Sequence, residues 1–345
     1  MDPIGIGSIS NTIESAMNIL VFGKDGQLGT AFHSLLDARV GPENSKHAIL
    51  YVGRSDCDLS DASRIGKVLE QFKPQVIINA AAHTAVDKAE QEPELAFAIN
   101  AMAPAMMAEY AAKHHSTFLH YSTDYVFDGS KDGWYLEDDA VNPLGVYGKS
   151  KAAGEKAIVE AFSGLDLSEP GEGQYAIFRT SWVYGSGGNF IRTILRLAKE
   201  REELKIISDQ HGVPTSAEWL AEMSFDFGFF VDDGGELRIR GFESGIYHAV
   251  VSGETTWHGL ACAVVQAARD AGVVLKVGPN AIKPILAVEY PLPAPRPMNS
   301  RMSGQKLQNA LQANALKDRA NMPKCPYWEE QVRQYVAELA RKALI

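Results

Sequence analysis

The chain has 345 residues, 46% apolar and 22% charged, enough for a substantial core in one large or two modest domains. A formal net charge of −10 with no basic stretch argues against nucleic acid as a partner, though not against a phosphorylated small ligand, for which a few local donors suffice. Three cysteines without paired spacing (Cys57, Cys262, Cys325) offer no disulfide framework or metal-ligand pattern and fit a reducing cytoplasm, and no apolar run approaches the roughly 20 residues that span a bilayer.

Residues 1–16 have no positive cluster and no long apolar core, so they read as an extension ahead of Met17 and not as a secretion signal. Asn18-Ile-Leu-Val-Phe22 is too short for a helix and rich in branched side chains, and reads as a buried strand. Gly23-Lys-Asp-Gly26-Gln-Leu-Gly29 follows, opening a helical pattern from Gln27 to Asp37. Three glycines between a strand and a helix form a dinucleotide-binding signature. Gly23 allows the tight turn, Gly26 lets the backbone approach a pyrophosphate, and Gly29 lets the helix pack closely on the strand. The free amides of the helix N-terminus then face the ligand's negative charge. The alternative is a plain strand-to-helix turn that uses glycine.

The second strand, Ala48 to Val52, runs into Gly53-Arg54-Ser55 with no acid before Asp56. An acid there would bind the ribose 2′-hydroxyl of NAD, whereas Arg54 suits the 2′-phosphate of NADP, so the residues lean towards NADPH over NADH; a solvated loop charge is the other reading of Arg54. Asp58 and Leu59 could flank the adenine, or Asp58 could cap the helix patterned from Ser60 to Phe72. The third strand, Val76 to Ile78, enters Asn79-Ala-Ala-Ala82-His83-Thr84, where small residues let a flat cofactor or a helix approach closely. A helical pattern then runs from Pro93 to His114, and Thr117 to His120 and Ala176 to Phe178 read as further strands. The alternation predicts an α/β fold, a Rossmann-type doubly wound parallel sheet covered on both faces.

Beyond the fourth strand lies Tyr121-Ser122-Thr123, and 24 residues after Thr123 a helix opens with Tyr147-Gly-Lys-Ser-Lys151. Tyr147 and Lys151 are four apart and share a helical face. Reducing a ketone needs a hydride at carbon and a proton at oxygen. A neighbouring ammonium would favour the phenolate and make the phenol a better-matched proton shuttle. Thr123 can hold the same substrate oxygen in line. The plainer reading is that Tyr147 packs and Lys151 is a surface charge.

After about Arg179, strand-like pieces (Leu204 to Ile207, Ile246 to Val251) and helices (Ser216 to Phe230, Thr256 to Ala271) continue, with a proline-rich stretch from Pro291 to Pro297 and an amphipathic pattern from Trp328 to Ala343. Residues 17–180 read as mainly the NAD(P)-binding domain, and 181–345 as mainly a smaller C-terminal α/β substrate lobe, with some chain crossing back. The lobe is expected over the carboxyl ends of the strands, where it would form a substrate cleft. The acidic, glycine-rich loop from Gly164 to Gly173 reads as a mobile surface segment.

Asn18 to Gly29, Asn79 to Glu90, His120 to Gly129, Val146 to Glu155, Phe178 to Tyr184 and Arg296 to Ser300, in this order, resemble the dTDP-4-dehydrorhamnose reductase family of extended short-chain dehydrogenases/reductases. The resemblance implies NAD(P)H-dependent reduction of the C4 keto group of dTDP-4-dehydro-L-rhamnose, with Thr123, Tyr147 and Lys151 as the catalytic group. It places Gly26, Gln27, Leu28, Asp58, Leu59, Ala82, His83, Thr84 and Tyr121 at the cofactor, and Asp124, Trp182 and Arg296 at the substrate. Trp182 would offer an apolar face to a deoxysugar and Arg296 a planar donor to a diphosphate; without the resemblance, core packing and a surface ion pair are the readings. Some members hold a magnesium ion between subunits through carboxylates on the first helix and near Pro214-Thr-Ser-Ala-Glu218. Glu218 is present here, but the first-helix position is Ala31, which argues against that metal site and that mode of dimerisation. A nucleotide-sugar is the expected partner, a homodimer the candidate assembly, and neither nucleic acid nor membrane is expected. Two other functions remain open: a nucleotide-sugar epimerase or dehydratase of the same fold, and a non-catalytic subunit like the regulatory β-subunit of methionine adenosyltransferase.

Overall fold

Successive side chains of a strand point to opposite faces, so an apolar run without alternation requires cover on both sides. The computed structural model, which describes residues 16–40, 47–165, 173–232, 235–318 and 325–345, meets that requirement. Strands β1 (Asn18–Phe22), β2 (Ala48–Val52), β3 (Val76–Asn79), β4 (Thr117–Thr123), β5 (Gln174–Thr180) and a sixth strand, Gly245–His248, form one parallel sheet. Its order is Gly245–His248, β5, β4, β3, β1, β2. Ile19, Val21, Ile78, Leu119 and Phe178 pack on one face with Phe32 and Leu36 of helix α1 (Gln27–Val40). Leu20, Phe22, Ile77, Phe118 and Ile177 pack on the other with Ile65 and Leu69 of α2 (Ala62–Phe72), Met107 of the Ala103–Lys113 helix, and Ile158 and Phe162 of the Val146–Phe162 helix.

The direction of winding reverses at β1, with β2 on one side and β3 on the other. Connections leaving to opposite sides open a crevice at the carboxyl ends of β1 and β3, which is where such sheets bind ligands.

Differences from the sequence expectations have local causes. Ser216 and Thr256, read as first helical residues, are N-caps whose hydroxyls accept from the amides of Trp219 and Gly259. The first of those helices stops at Gly228, because Phe229–Val231 extends and pairs with Leu237–Ile239. The strand expected from Ile246 to Val251 ends at His248. The helix expected from Pro93 to His114 contains a widened π turn, Ala98–Met102. Pro104 has no N–H to give to the Asn100 carbonyl four residues back, so the turn must open there. Residues 1–15 and 166–172 lie outside the described residues, and with them the N-terminal extension and most of the Gly164–Gly173 loop. No helix among the described residues is long and apolar enough to cross a membrane.

Beyond β5 the chain forms small pairings, Leu204–Ile207 with Ile282–Ile285 and Val183–Tyr184 with Thr215–Ser216, before and after Gly245–His248 returns to the main sheet. The Val146–Phe162 helix is fastened to β5 by a buried ion pair. Arg179 Nε and Nη2 donate to the two oxygens of Glu155 at 3.0 and 2.7 Å. Removing one partner of such a pair leaves a buried charge uncompensated. Glu155→Gln is expected to cost about 3–5 kcal/mol, read as a fall in the urea midpoint, while Glu155→Leu combined with Arg179→Met stays much closer to the parent.

Candidate active site

The turn after β1 is shaped by three glycines with different duties. Gly23 has φ of 90°, in the left-handed region, and a Cβ on it would lie 2.7 Å from the Ala81 amide nitrogen. A Cβ on Gly29 would lie 2.0 Å from the Gly23 carbonyl oxygen, so only glycine lets α1 sit on the turn. Gly26 lines a cavity of about 660 Å³ that opens beside this turn. Gln27 and Leu28 from the start of α1, Arg54, Asp58 and Leu59 after β2, Ala82, His83 and Thr84 after β3, and Tyr121, Tyr147 and Lys151 share its wall with Gly23. Gly29 stands one layer behind. The unpaired first amides of α1 and the adjoining backbone make this end of the cavity a fitting seat for a diphosphate.

Asp58 is not the cap of α2: its carboxylate accepts from the Ser60 amide and hydroxyl, and Asp61 caps the helix by accepting from Ser63 and Arg64. Asp56, the first acid after β2, pairs with Lys24 at 2.6 Å and accepts from the Gly53 amide at 2.8 Å. The Lys24 hydrogen bond and the Gly53 amide hold its carboxyl below the usual range.

Thr123 and Asp124 are buried at the end of β4. The Thr123 hydroxyl donates to Asp124 Oδ1 at 2.9 Å and accepts from the Tyr125 amide at 3.2 Å. Burial pushes the Asp124 carboxyl up to about 6, against hydrogen bonds from Ser300 and Thr123. Tyr147 reaches the same place from its helix and packs edge-on against Tyr125, with ring centroids 5.4 Å apart. Burial pushes its phenol up to about 12, with the Asp124 charge adding and a hydrogen bond with Thr123 opposing.

Lys151 is 1% exposed, and its Nζ donates to the Tyr121 carbonyl at 2.6 Å and lies 3.1 Å from His120 Nε2. Burial lowers its pKa to about 8, with Glu155 opposing. Lys151 shares the cavity with Tyr147, and its amine is turned to β4. The largest cause acting on the phenol is burial, which favours its protonated form.

Trp182 and Arg296 are outside the wall of the cavity. Trp182 has φ of 48°, its indole stacks on Trp257 with centroids 3.7 Å apart, and it fills the space beside Gly212 where a Cβ would stand. Arg296 makes the ion pair that its plainer reading foresaw: Nη1 and Nη2 each donate to Asp87 at 2.9 Å, and Nη1 also donates to the Ala294 carbonyl. That occupies three of five guanidinium N–H groups and leaves Nε–H and one Nη2–H for a ligand. On the metal question, Ala31 supplies no ligand atom and Glu218 accepts from Ser216 at 2.9 Å. No cluster of three metal-ligating side chains occurs among the described residues.

Sequence reasoning passed over three buried polar residues. Asn100, in the π turn, accepts from the His83 amide and donates to the His83 carbonyl and the Ser150 hydroxyl, tying a wall of the cavity to the helix of Tyr147. Asn79 and His120 are neighbours in the β3–β4 register and continue the contacts of Lys151. Only a polar residue at an interior strand or helix position hinted at any of them.

The family model described as "RmlD substrate binding domain" matches residues 17–340. The dTDP-4-dehydrorhamnose reductase of Escherichia coli K12 is 43% identical over 298 residues, 85% of this chain and 91% of that protein. That of Salmonella typhimurium is 40% identical over 94% of this chain and 98% of its own. Among solved structures, a dTDP-4-dehydrorhamnose reductase from Bacillus anthracis in complex with NADP superposes with a TM-score of 0.76, at 29% identity over 94% of this chain and 100% of that one. The Thermus thermophilus UDP-glucose 4-epimerase, at 18% identity and a TM-score of 0.69, shares the fold.

The Asp124 carboxyl yields a stability test. Its folded pKa of about 6 lies above the ordinary 3.8, so the contribution it makes to stability is full below pH 3.8 and is lost as pH rises through 6. Asp124→Asn cannot ionise. It is expected to exceed the parent in stability by on the order of 2–3 kcal/mol near pH 8 and to match it near pH 4. Thermal unfolding at both pH values measures this, and a gain that does not depend on pH would count against a strained carboxylate.

Proposed function

The chain belongs to the dTDP-4-dehydrorhamnose reductase family, and on that premise we propose that it reduces the C4 keto group of dTDP-4-dehydro-L-rhamnose to dTDP-L-rhamnose with NADPH. The observation that carries the reading is that Tyr147, on the wall of a cavity whose other end is a glycine turn on a helix N-terminus, is hydrogen-bonded to Thr123, which is not itself part of that wall. Bound NADPH supplies the hydride. The protein's part is to hold the dinucleotide, orient the ketone and give it a proton.

The turn from Gly23 to Gly26 and the first amides of α1 suit the diphosphate. Ala80 to Ala82 leave room for a flat ring, and Arg54, on the wall after β2, supplies a charge suited to the adenosine 2′-phosphate. Reduction needs a proton donor, and burial keeps the Tyr147 phenol protonated across the physiological range. Thr123, between Asp124 and Tyr147, fixes where the reacting oxygen sits. Arg296 offers its two remaining N–H groups to the substrate diphosphate, and Asp124 and Trp182 border the sugar. Residues 17–180 then serve mainly the cofactor and 181–345 mainly the substrate. The three free cysteines agree with a place in the cytoplasm.

Mixing the purified protein with NADPH and the keto-sugar should consume one NADPH per product. A product formed without loss of NADPH absorbance would instead mark an epimerase or dehydratase that retains its cofactor. Tyr147→Phe is expected to lower kcat by about 10²- to 10⁴-fold while leaving NADPH binding intact; undiminished turnover would remove Tyr147 from its role. Arg54→Ala is expected to erase roughly tenfold or more of the preference for NADPH over NADH, measured as the ratio of the two kcat/KM values.

A further inference from the structure

We propose that His120, oriented by Asn79, is a positioning residue of the reduction: it presents an N–H to the amine of Lys151 and so sets how readily that amine holds its proton. The inference rests on Lys151 belonging to the reducing group. It follows from counting protons along a buried chain.

The chain starts at the Ala81 amide, which lies 3.2 Å from Asn79 Oδ1. A backbone N–H can only donate, so the Asn79 atom facing it is the oxygen, and the orientation of the side-chain amide is fixed. Asn79 Nδ2, 3.1 Å from His120 Nδ1, is therefore the donor in that contact, and Nδ1 must be bare. A neutral imidazole with a bare Nδ1 carries its proton on Nε2. His120 is fully buried, and burial, aided by the Lys151 charge, holds its pKa well below the ordinary value, so the ring stays neutral. Its Nε2–H points at Lys151 Nζ, 3.1 Å away.

Two donors face each other there if Lys151 is an ammonium. The contact becomes a hydrogen bond when Nζ is a neutral amine that accepts from Nε2–H and donates to the Tyr121 carbonyl. The chain thus works with burial, which also lowers the lysine's pKa. The other groups around the amine do not reverse this. On its own helix, Glu155 is bound to Arg179 of β5, and Tyr147 is a neutral phenol. On β4, the Tyr121 hydroxyl is turned away to Ser224. Ala81 and Lys151 both line the cavity, so the chain joins the backbone beneath the cofactor seat to the amine beside the phenol.

Long-range proton–nitrogen correlation spectra of protein labelled with ¹⁵N-histidine report which ring nitrogen carries the proton, with His120 assigned by the signals lost in His120→Gln. A proton on Nε2 is expected in the parent protein; a proton on Nδ1, or on both nitrogens, overturns the proposal. Asn79→Asp reverses the polarity, because a carboxylate accepts from both Ala81 N–H and a His120 Nδ1–H and leaves Nε2 free to accept from the ammonium. The alkaline limb of the kcat pH profile is expected to rise by about one pH unit in this variant. His120→Gln can turn its amide oxygen to Lys151 and should move the limb the same way. A purely structural role would lower kcat and Tm with the limb unmoved, and that result in both variants also overturns the proposal. The spectrum of the parent needs neither variant nor substrate, so failure here and failure to reduce the keto-sugar are separate results.

Discussion

The burial of Lys151 is the constraint on which the site depends. Placing an amine at 1% exposure against a β4 carbonyl requires its helix to come within one side-chain length of the sheet. Two glycines on that helix make the approach possible. A Cβ on Gly148 would lie 2.1 Å from the Tyr125 carbonyl oxygen, and one on Gly154 would lie 2.2 Å from the Asn100 carbonyl oxygen. Gly148, Lys151 and Gly154 are spaced by three and so lie along one side of the helix. Glu155, on the neighbouring row, fastens the same helix to Arg179. The helix that carries Tyr147 and Lys151 is therefore held by backbone contact along its length.

How much of this was legible depended on the distance in sequence between the partners. β1 and β2 were read with their observed limits, because a short branched run bounded by glycine or polar residues is a local signal. The glycine turn was read with the right duties at Gly23 and Gly29, because sterics there involve the turn and the loop after β3. The N-caps at Ser216 and Thr256 displace helix starts by one residue, and of the two readings open for Asp58 the helix cap falls instead to Asp61. Long-range pairs left no trace. Asp87 and Arg296 are 209 residues apart, and nothing around either announces the other. Asn79, His120 and Asn100 stood in segments already singled out, yet only strand register and the π turn reveal what they touch.

The phenol shows a different kind of limit. From spacing alone, an ammonium four residues from a tyrosine suggests attraction between opposite charges. In the folded chain both groups are buried, and desolvation acts on each towards its neutral form: it raises the phenol and lowers the amine. The sign of the effect is set by burial, which a helical wheel does not contain. For a phenol proposed as the proton donor, a raised pKa keeps the proton in place.

The two halves of the cavity's surroundings are built by different means, and this explains why cofactor and sugar are unequally readable. The dinucleotide end relies on backbone: a left-handed glycine, a helix N-terminus and a run of alanines, features that a chain encodes within a dozen residues. The residues proposed to meet the sugar rely on side chains brought from distant segments. Trp182 is held at φ of 48° against Trp257, and Arg296 is held by Asp87 with two N–H groups to spare. A non-glycine residue kept at positive φ costs free energy that its packing must offset, and such positions gather where a ligand needs a fixed surface. The geometry at Trp182 and Arg296 exists only once the chain has brought residues 87, 182, 257 and 296 into their fixed contacts.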